Sequence, residues 1–301
     1  MNNHFQVLFQ SGSGKEPKIW LDFIDYAKRL FAGGKQDLWQ DPALLISAYS
    51  QAQGLLRSDV IHFPVNQVYA SWLDAHSTEM EKWMGKRPTF VLKKMLALEE
   101  PRNILLEVLS GFTELNRDAK PFALSLGSPQ QWLQWISKMV RPGEDPFTSS
   151  DDVDSAAMYI ADYLRNFSTA GISAIVLEEA ENPPLDMAEA LELYQPILNL
   201  AGHYQWSVGF SFPGEVPKCT VFHDKVDFTL FGESDMSSLL PYWQEGAAVG
   251  GGLNQAFWTH KGDGDRSVLP VQGLLFGTIP EDADPEMVLE RLKELRLSMK
   301  H

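Results

Sequence analysis

The sequence predicts a (β/α)8 TIM barrel, somewhat irregular towards its N-terminus. Three observations carry that reading. Short apolar runs alternate with amphipathic stretches along all 301 residues, the order that builds a parallel sheet flanked by helices. Residues 160–194 spell out one complete unit: an amphipathic helix closed by Thr169-Ala170-Gly171, a buried run at 174–177, an acid-rich loop and a further helix. No Pro/Gly/Ser-rich linker and no change of composition divides the chain, so residues 15–301 read as a single domain.

Taken in order, residues 1–14 fit two readings. VLFQSGSG has the look of a protease site followed by a linker, whereas Phe5 to Phe9 suits a first strand before a Ser/Gly loop. The strand is preferred, because the barrel otherwise lacks one. Residues 17–31 place Trp20, Phe23, Ile24, Ala27, Leu30 and Phe31 at helical spacing and stop at Gly33-Gly34. Asp41-Pro42 supplies a cap and a first-turn proline for the next helix, to about Leu56. Residues 58–65 then read as a strand, and 66–85 as a helical excursion over the barrel mouth. A short strand at 90–92, a helix at 103–115 and a strand at 121–126 follow. Ser128-Pro129 opens a helix whose Trp132, Trp135, Ile136 and Met139 have core spacing. Residues 153–167 carry one apolar stripe of Val153, Ala156, Ala157, Ile160, Leu164 and Phe167. After the strand at 174–177 come a helix at 187–203, strands at 206–210 and 227–231, and a short helix at 235–245. A strand at 247–250 opens into Gly251-Gly252-Leu253-Asn254; a last strand at 269–276 precedes a helix capped by Asp284-Pro285.

Composition limits what such a barrel does. With 40 acids against 25 Lys and Arg, a formal charge of −15, phosphate surfaces are repelled, which argues against nucleic acid and anionic membrane as partners. No apolar run has bilayer length and no basic-then-apolar leader stands near Met1, so a cytoplasmic protein acting on a small molecule is expected. Cys219 is the single cysteine, which excludes an internal disulfide and suits a reducing compartment. One thiol is also a poor start for a zinc site, and the pattern specifies neither a metal nor another cofactor.

Several stretches together resemble the uroporphyrinogen decarboxylase superfamily, which also holds corrinoid-linked, zinc-dependent methyltransferases. Residues 162–177 are similar to that family's helix, Ala-Gly turn and strand, Asp59-Val60-Ile61 to a strand following its Asp-Ala turn, and 121–129 to its Pro-Leu-Ile-Gly-Phe-x-Gly-x-Pro element. Residues 273–288, GLLFGTIPEDADPEMV, resemble its last strand with the Ile-Pro-x-x-x-x-Pro-Glu-x-Val ending. The resemblance covers most of the chain from about Asp41 and implies a barrel, a small-molecule substrate and a homodimer. Three departures set the chain apart. An Arg-rich opening helix is reduced to Arg29, the family's essential Asp after the second strand falls near Asn66, and its last-strand Asn-Leu-Gly-His-Gly becomes Phe276-Gly277-Thr278-Ile279. The methyltransferase His-x-Cys zinc pair is likewise missing, with Phe210-Ser211-Phe212-Pro213 after the comparable strand. A substrate with eight carboxylates is thus disfavoured, and acid/base lyase chemistry of a decarboxylase-like kind on another small molecule leads. A non-catalytic ligand- or partner-binding barrel, and a methyltransferase component serving a corrinoid protein, are the rivals.

Candidate residues follow from their places at strand ends, where barrels do chemistry. Glu178 and Glu179 end the central strand, with Glu181 and Asn182 beyond. Alternation points the two glutamates to opposite faces, so only one looks into the barrel, where partial burial raises a carboxyl pKa towards acid–base use. The competing reading pairs that acid with a lysine or the backbone. His62 reads first as a core histidine and second as a proton relay. Asn66, Asn182, Phe210, Asn254 and Gln255 are candidate substrate contacts, the last two after a glycine run that lets backbone approach a ligand. Glu233, Ser234 and Asp235 read as a helix-capping turn, and His223-Asp224 near Cys219 as a surface turn.

Overall fold

The computed structural model describes residues 5–9, 18–34, 36–116, 118–144, 148–183, 185–214, 226–259 and 273–298. Along them run β1 (Lys18–Asp22), α1 (Ile24–Phe31), α2 (Pro42–Leu56), β2 (Ile61–Pro64), α3 (Val65–Ala75), α4 (Ser77–Trp83), α5 (Pro88–Leu96) and α6 (Glu99–Leu115). Next come β3 (Phe122–Gly127), α7 (Pro129–Val140), α8 (Ser150–Leu164), β4 (Ala174–Glu178), α9 (Met187–Leu193), α10 (Gln195–Tyr204) and β5 (Ser207–Phe212). The chain continues with β6 (Phe228–Asp235), α11 (Met236–Gln244), β7 (Val249–Gly252), α12 (Gln255–Thr259), β8 (Leu274–Thr278) and α13 (Pro285–Ser298).

The eight strands are parallel neighbours in the order β1-β8-β7-β6-β5-β4-β3-β2, so helices cover the outside of a nearly closed barrel. The seam between β1 and β2 is closed by the turn before β2. The Asp59 N–H donates to the Ile19 carbonyl (2.7 Å), the Ile19 N–H donates to the Asp59 carboxylate (2.9 Å), and the Leu21 N–H donates to the Ser58 hydroxyl (3.0 Å). Side-chain oxygens therefore stand in for ladder partners that backbone amides would otherwise lack. No described helix is long and apolar enough to cross a membrane.

Strand alternation sorts the buried residues into two cores. Ile19, Leu21, Leu124, Leu126, Ile175, Leu177, Val208 and Phe210 face the helices. Trp20, Val60, Ala123, Ala174, Val176, Phe228, Leu230, Leu274 and Phe276 face the barrel axis. Three residues from the start of the chain, Phe5, Leu8 and Phe9, join this inner core. Phe5 lies edge-on to Trp20 (5.6 Å between centroids) and tilted against Phe228 (5.0 Å), while Phe9 stacks on Phe228 (5.3 Å). The Phe228 ring fills the space beside β5 so completely that a Cβ on Gly209 would lie 2.1 Å from it, which is why that strand position has no side chain.

The N-terminal expectations need correction. Phe5 to Phe9 is not a strand: Gln6–Leu8 forms a short 3₁₀ turn that plugs the barrel end at the strand N-termini. The first strand is β1, inside the stretch read as a helix at 17–31. Ile19, Trp20 and Leu21 are buried on both faces, so they form a continuous apolar run whose period cannot distinguish strand from helix. The expected strand at 90–92 lies within α5, where Pro88 opens the helix and Val91, Leu92, Met95 and Leu96 are buried at helical spacing. The long helix at 187–203 is split at Tyr194, because Pro196 cannot donate to Glu192 as a continuous helix requires.

Candidate active site

The inward residues change character along the strands. Apolar at the N-terminal ends, they become polar at the C-terminal ends, around a cavity of about 190 Å³. Its lining includes Asp22 from β1, His62 from β2, Ser125 from β3, Glu178 from β4, Ser211 from β5, Gly232 and Glu233 from β6 and Thr278 from β8. Val176, Leu230 and Phe276 supply its apolar surface, and Phe212 and Pro213 also border it. A larger concavity of about 670 Å³ lies between α8 and α10, walled by Met158, Arg165, His203 and Tyr204. It is an open helical groove away from the strand ends, where barrels place their chemistry.

Local features of the chain hold the ends of β2, β4 and β6 at the mouth. Tyr49 of α2 accepts the His62 backbone N–H (2.9 Å), anchoring β2 beside the seam with β1. The end of β4 is tied to both neighbours: the Ser128 N–H donates to the Glu178 carbonyl (2.8 Å) and the Glu179 N–H to the Ser211 carbonyl (2.8 Å). A register shift between Phe231 and Asp235 bends β6 against β7 and lays Gly232 and Glu233 at the rim.

Burial sets the electrostatics. Glu178 keeps partial contact with the cavity, yet desolvation dominates and raises its pKa to about 7. The Ser125 hydroxyl lowers it somewhat, and the charge of Asp22 adds to the rise. Desolvation also lowers the His62 pKa, with Asp22 pulling the other way. The His62 Nδ1 is 3.9 Å from an Asp22 oxygen, too far for a direct hydrogen bond. His62 is 5% exposed and neither ring nitrogen has a hydrogen-bond partner. Buried polar groups left in that condition need water or a ligand. No Lys or Arg lines the cavity among the described residues, and no three His, Cys, Asp or Glu side chains there form a ready-made metal cage.

Of the residues singled out from sequence, the structure brings Glu178 and His62 together at this cavity. It takes Glu179 elsewhere, into the layer outside the sheet. There its carboxylate accepts from the Ser128 hydroxyl (2.7 Å), the Ala180 N–H (2.9 Å) and the Tyr194 hydroxyl (3.0 Å). Asn66 is a bracket between elements, accepting the Gly127 N–H (3.1 Å) and donating to Gln131 (3.2 Å). Asn182 offers its carbonyl to Gln134 on the exterior, and Phe210 stacks on Tyr194 in the outer core. Asn254 accepts the Phe257 N–H at the start of α12, and Gln255 is exposed there. None of these six borders the cavity. Cys219, His223 and Asp224 lie outside the described residues. Reading from sequence overlooked Asp22, Ser125, Ser211 and Thr278, and assigned Glu233 to a capping turn. The usable signal was position at a strand's last inward residue, hidden for Asp22 once β1 was taken for helix.

In fold, the chain resembles a methyltransferase from Methanosarcina mazei. The overlay spans 98% of this chain and 97% of that one at 13% identity, with a TM-score of 0.65. At that identity the likeness establishes the barrel architecture alone. Looser overlays join it to an E. coli 3-keto-D-glucoside 4-epimerase (12% identity, 79% and 99% of the two chains, TM-score 0.41). A D-psicose 3-epimerase from Clostridium cellulolyticum H10 is similarly distant (8% identity, 85% and 94%, TM-score 0.42). No protein-family model matches the sequence, nor does any curated protein.

Proposed function

We propose that this barrel is an enzyme that performs acid–base chemistry, of the lyase kind, on a small organic molecule at its C-terminal mouth. The observation that carries the reading is Glu178, with a pKa of about 7, sharing one cavity with the unpartnered imidazole of His62. A carboxyl balanced near neutrality can both take and return a proton at working pH. In its ionised form Glu178 would remove a proton from substrate carbon or oxygen. His62, kept neutral by burial, would donate its N–H to the oxygen on which charge develops. Ser125 and Ser211 would hydrogen-bond the substrate and fix its orientation. With no described cation to receive a carboxylate, elimination or proton transfer suits this mouth better than decarboxylation. A substrate with many carboxylates is disfavoured on the same ground.

The test is to incubate the full chain in deuterium oxide with a panel of small polar metabolites, following deuterium entry by NMR. Exchange or turnover of a panel member, abolished by Glu178→Gln and reduced by His62→Gln, is expected. Activity that survives Glu178→Gln overturns the assignment, and binding without any exchange returns weight to a ligand-binding barrel.

Methyl transfer alongside a corrinoid protein is the second reading, favoured by the nearly full-length overlay on a methyltransferase. The described cavity lining does not fit a zinc-thiolate centre, since it contains no cysteine. Stoichiometric zinc that is lost in Cys219→Ser would promote this reading over the first.

A further inference from the structure

The charge and lining of the mouth cavity say more than where a proton might move. Asp22, Glu178 and Glu233 bring three carboxyls to one small space, and no Lys or Arg among the described residues is paired with any of them. Beside them stand Phe212 and Phe276, while the buried His62 ring presents two nitrogens that no protein group satisfies. We infer that this cavity takes a small alkylammonium cation, its charge held by Asp22 and Glu233 and its alkyl groups set against Phe212 and Phe276. The inference rests on the mouth being the functional site, as proposed above, but not on the chemistry performed there.

The alternatives fit the cavity less well. An anion would meet three acids and no described cation. A neutral polyol could satisfy His62 but would leave the desolvated Glu178 without a counter-charge. A compact alkylated cation answers both the acids and the apolar lining that Phe212 and Phe276 supply. The volume sets the size. At about 190 Å³ the cavity admits only a small occupant. Its neutral hydroxyl or carbonyl would then reach His62 and Ser125. The same cation would draw the proton from Glu178, which faces Asp22, His62, Ser125 and Glu233 across the cavity. Binding at neutral pH therefore releases protons, and affinity rises with pH through about 7.

Isothermal titration of the full chain with methylammonium, tetramethylammonium and choline tests the inference, with choline's uncharged carbon isostere and acetate as controls. At least one cation should bind, the isostere should bind about tenfold more weakly or worse, and acetate should not bind. Asp22→Asn and Glu233→Gln should each reduce cation affinity about tenfold while leaving isostere binding unchanged, which also shows that the variants are folded. Repeating the titration in buffers of different ionisation enthalpy should reveal proton release. Equal affinity for isostere and cation, binding of acetate, or no binding by any of the three cations overturns the inference. Where a variant fails to fold, the cation–isostere pair on the unaltered chain decides. Cation binding without deuterium exchange would keep this inference and sink the acid–base reading; exchange into a neutral compound alone would do the reverse.

Discussion

Glu178 and Glu179 are joined by one peptide bond, yet β4 turns them into different environments. Glu178 enters the barrel mouth, where burial raises its pKa to about 7 and no described cation compensates it. Glu179 enters the layer beneath α7 and α10, where burial raises its pKa while the Ser128, Ala180 and Tyr194 donors oppose the rise. The second carboxyl has three donors inside the fold; the first has no described cation there to balance its charge. A saturated acid is a structural part, and an unsaturated acid at a barrel mouth is available for chemistry.

That contrast can be broken most severely at the saturated site. Glu179→Ala leaves the hydroxyls of Ser128 and Tyr194 buried without their acceptor and should cost about 3 kcal/mol of stability in urea unfolding. A loss below about 1 kcal/mol would mean that the three bonds contribute little net energy. The open site should respond in the opposite direction. Because the folded pKa of Glu178 exceeds its ordinary value of 4.5, the folded chain keeps a proton that the unfolded chain has given up. Its contribution is full below pH 4.5 and is lost as the pH rises through about 7. Glu178→Gln should therefore raise stability on the order of 2 kcal/mol near pH 8, allowing for partial exposure, and change it little near pH 4. Equal effects at both pH values would remove the difference between the two glutamates. The smallest effect belongs to Asn66. Asn66→Ala should cost about 1 kcal/mol by losing its bonds to Gly127 and Gln131, with cation binding unchanged in the same titration.

The strand–helix alternation and the face-switching of adjacent glutamates were legible because both depend on local periodicity. Ala174–Glu178 could be placed from its apolar run and the Thr169-Ala170-Gly171 turn before it. The beginning of the barrel was not legible, for a physical reason. Ile19, Trp20 and Leu21 are buried on both faces, and Phe5 and Phe9 are apolar because they fill the barrel's end. In each case tertiary burial, which a window of neighbouring residues does not contain, decided the outcome. The cavity was only half legible for a related reason. Glu178 advertises itself at the end of an obvious strand, whereas Asp22, Ser125 and Thr278 become neighbours only when β1, β3 and β8 are brought round the same circle.

The plug formed by Phe5, Leu8 and Phe9 also bears on the order in which the molecule can assemble. Its rings rest against Phe228 on β6, so Phe5 and Phe9 cannot reach their places until the chain as far as β6 has come together. Until then Trp20 and Phe228 line an open-ended cylinder, and closing it requires one of the longest-range contacts in the chain. The turn at residues 5–9 thus completes the inner core only after β6 is in place, and holding it elsewhere would leave Trp20 and Phe228 uncovered at that end.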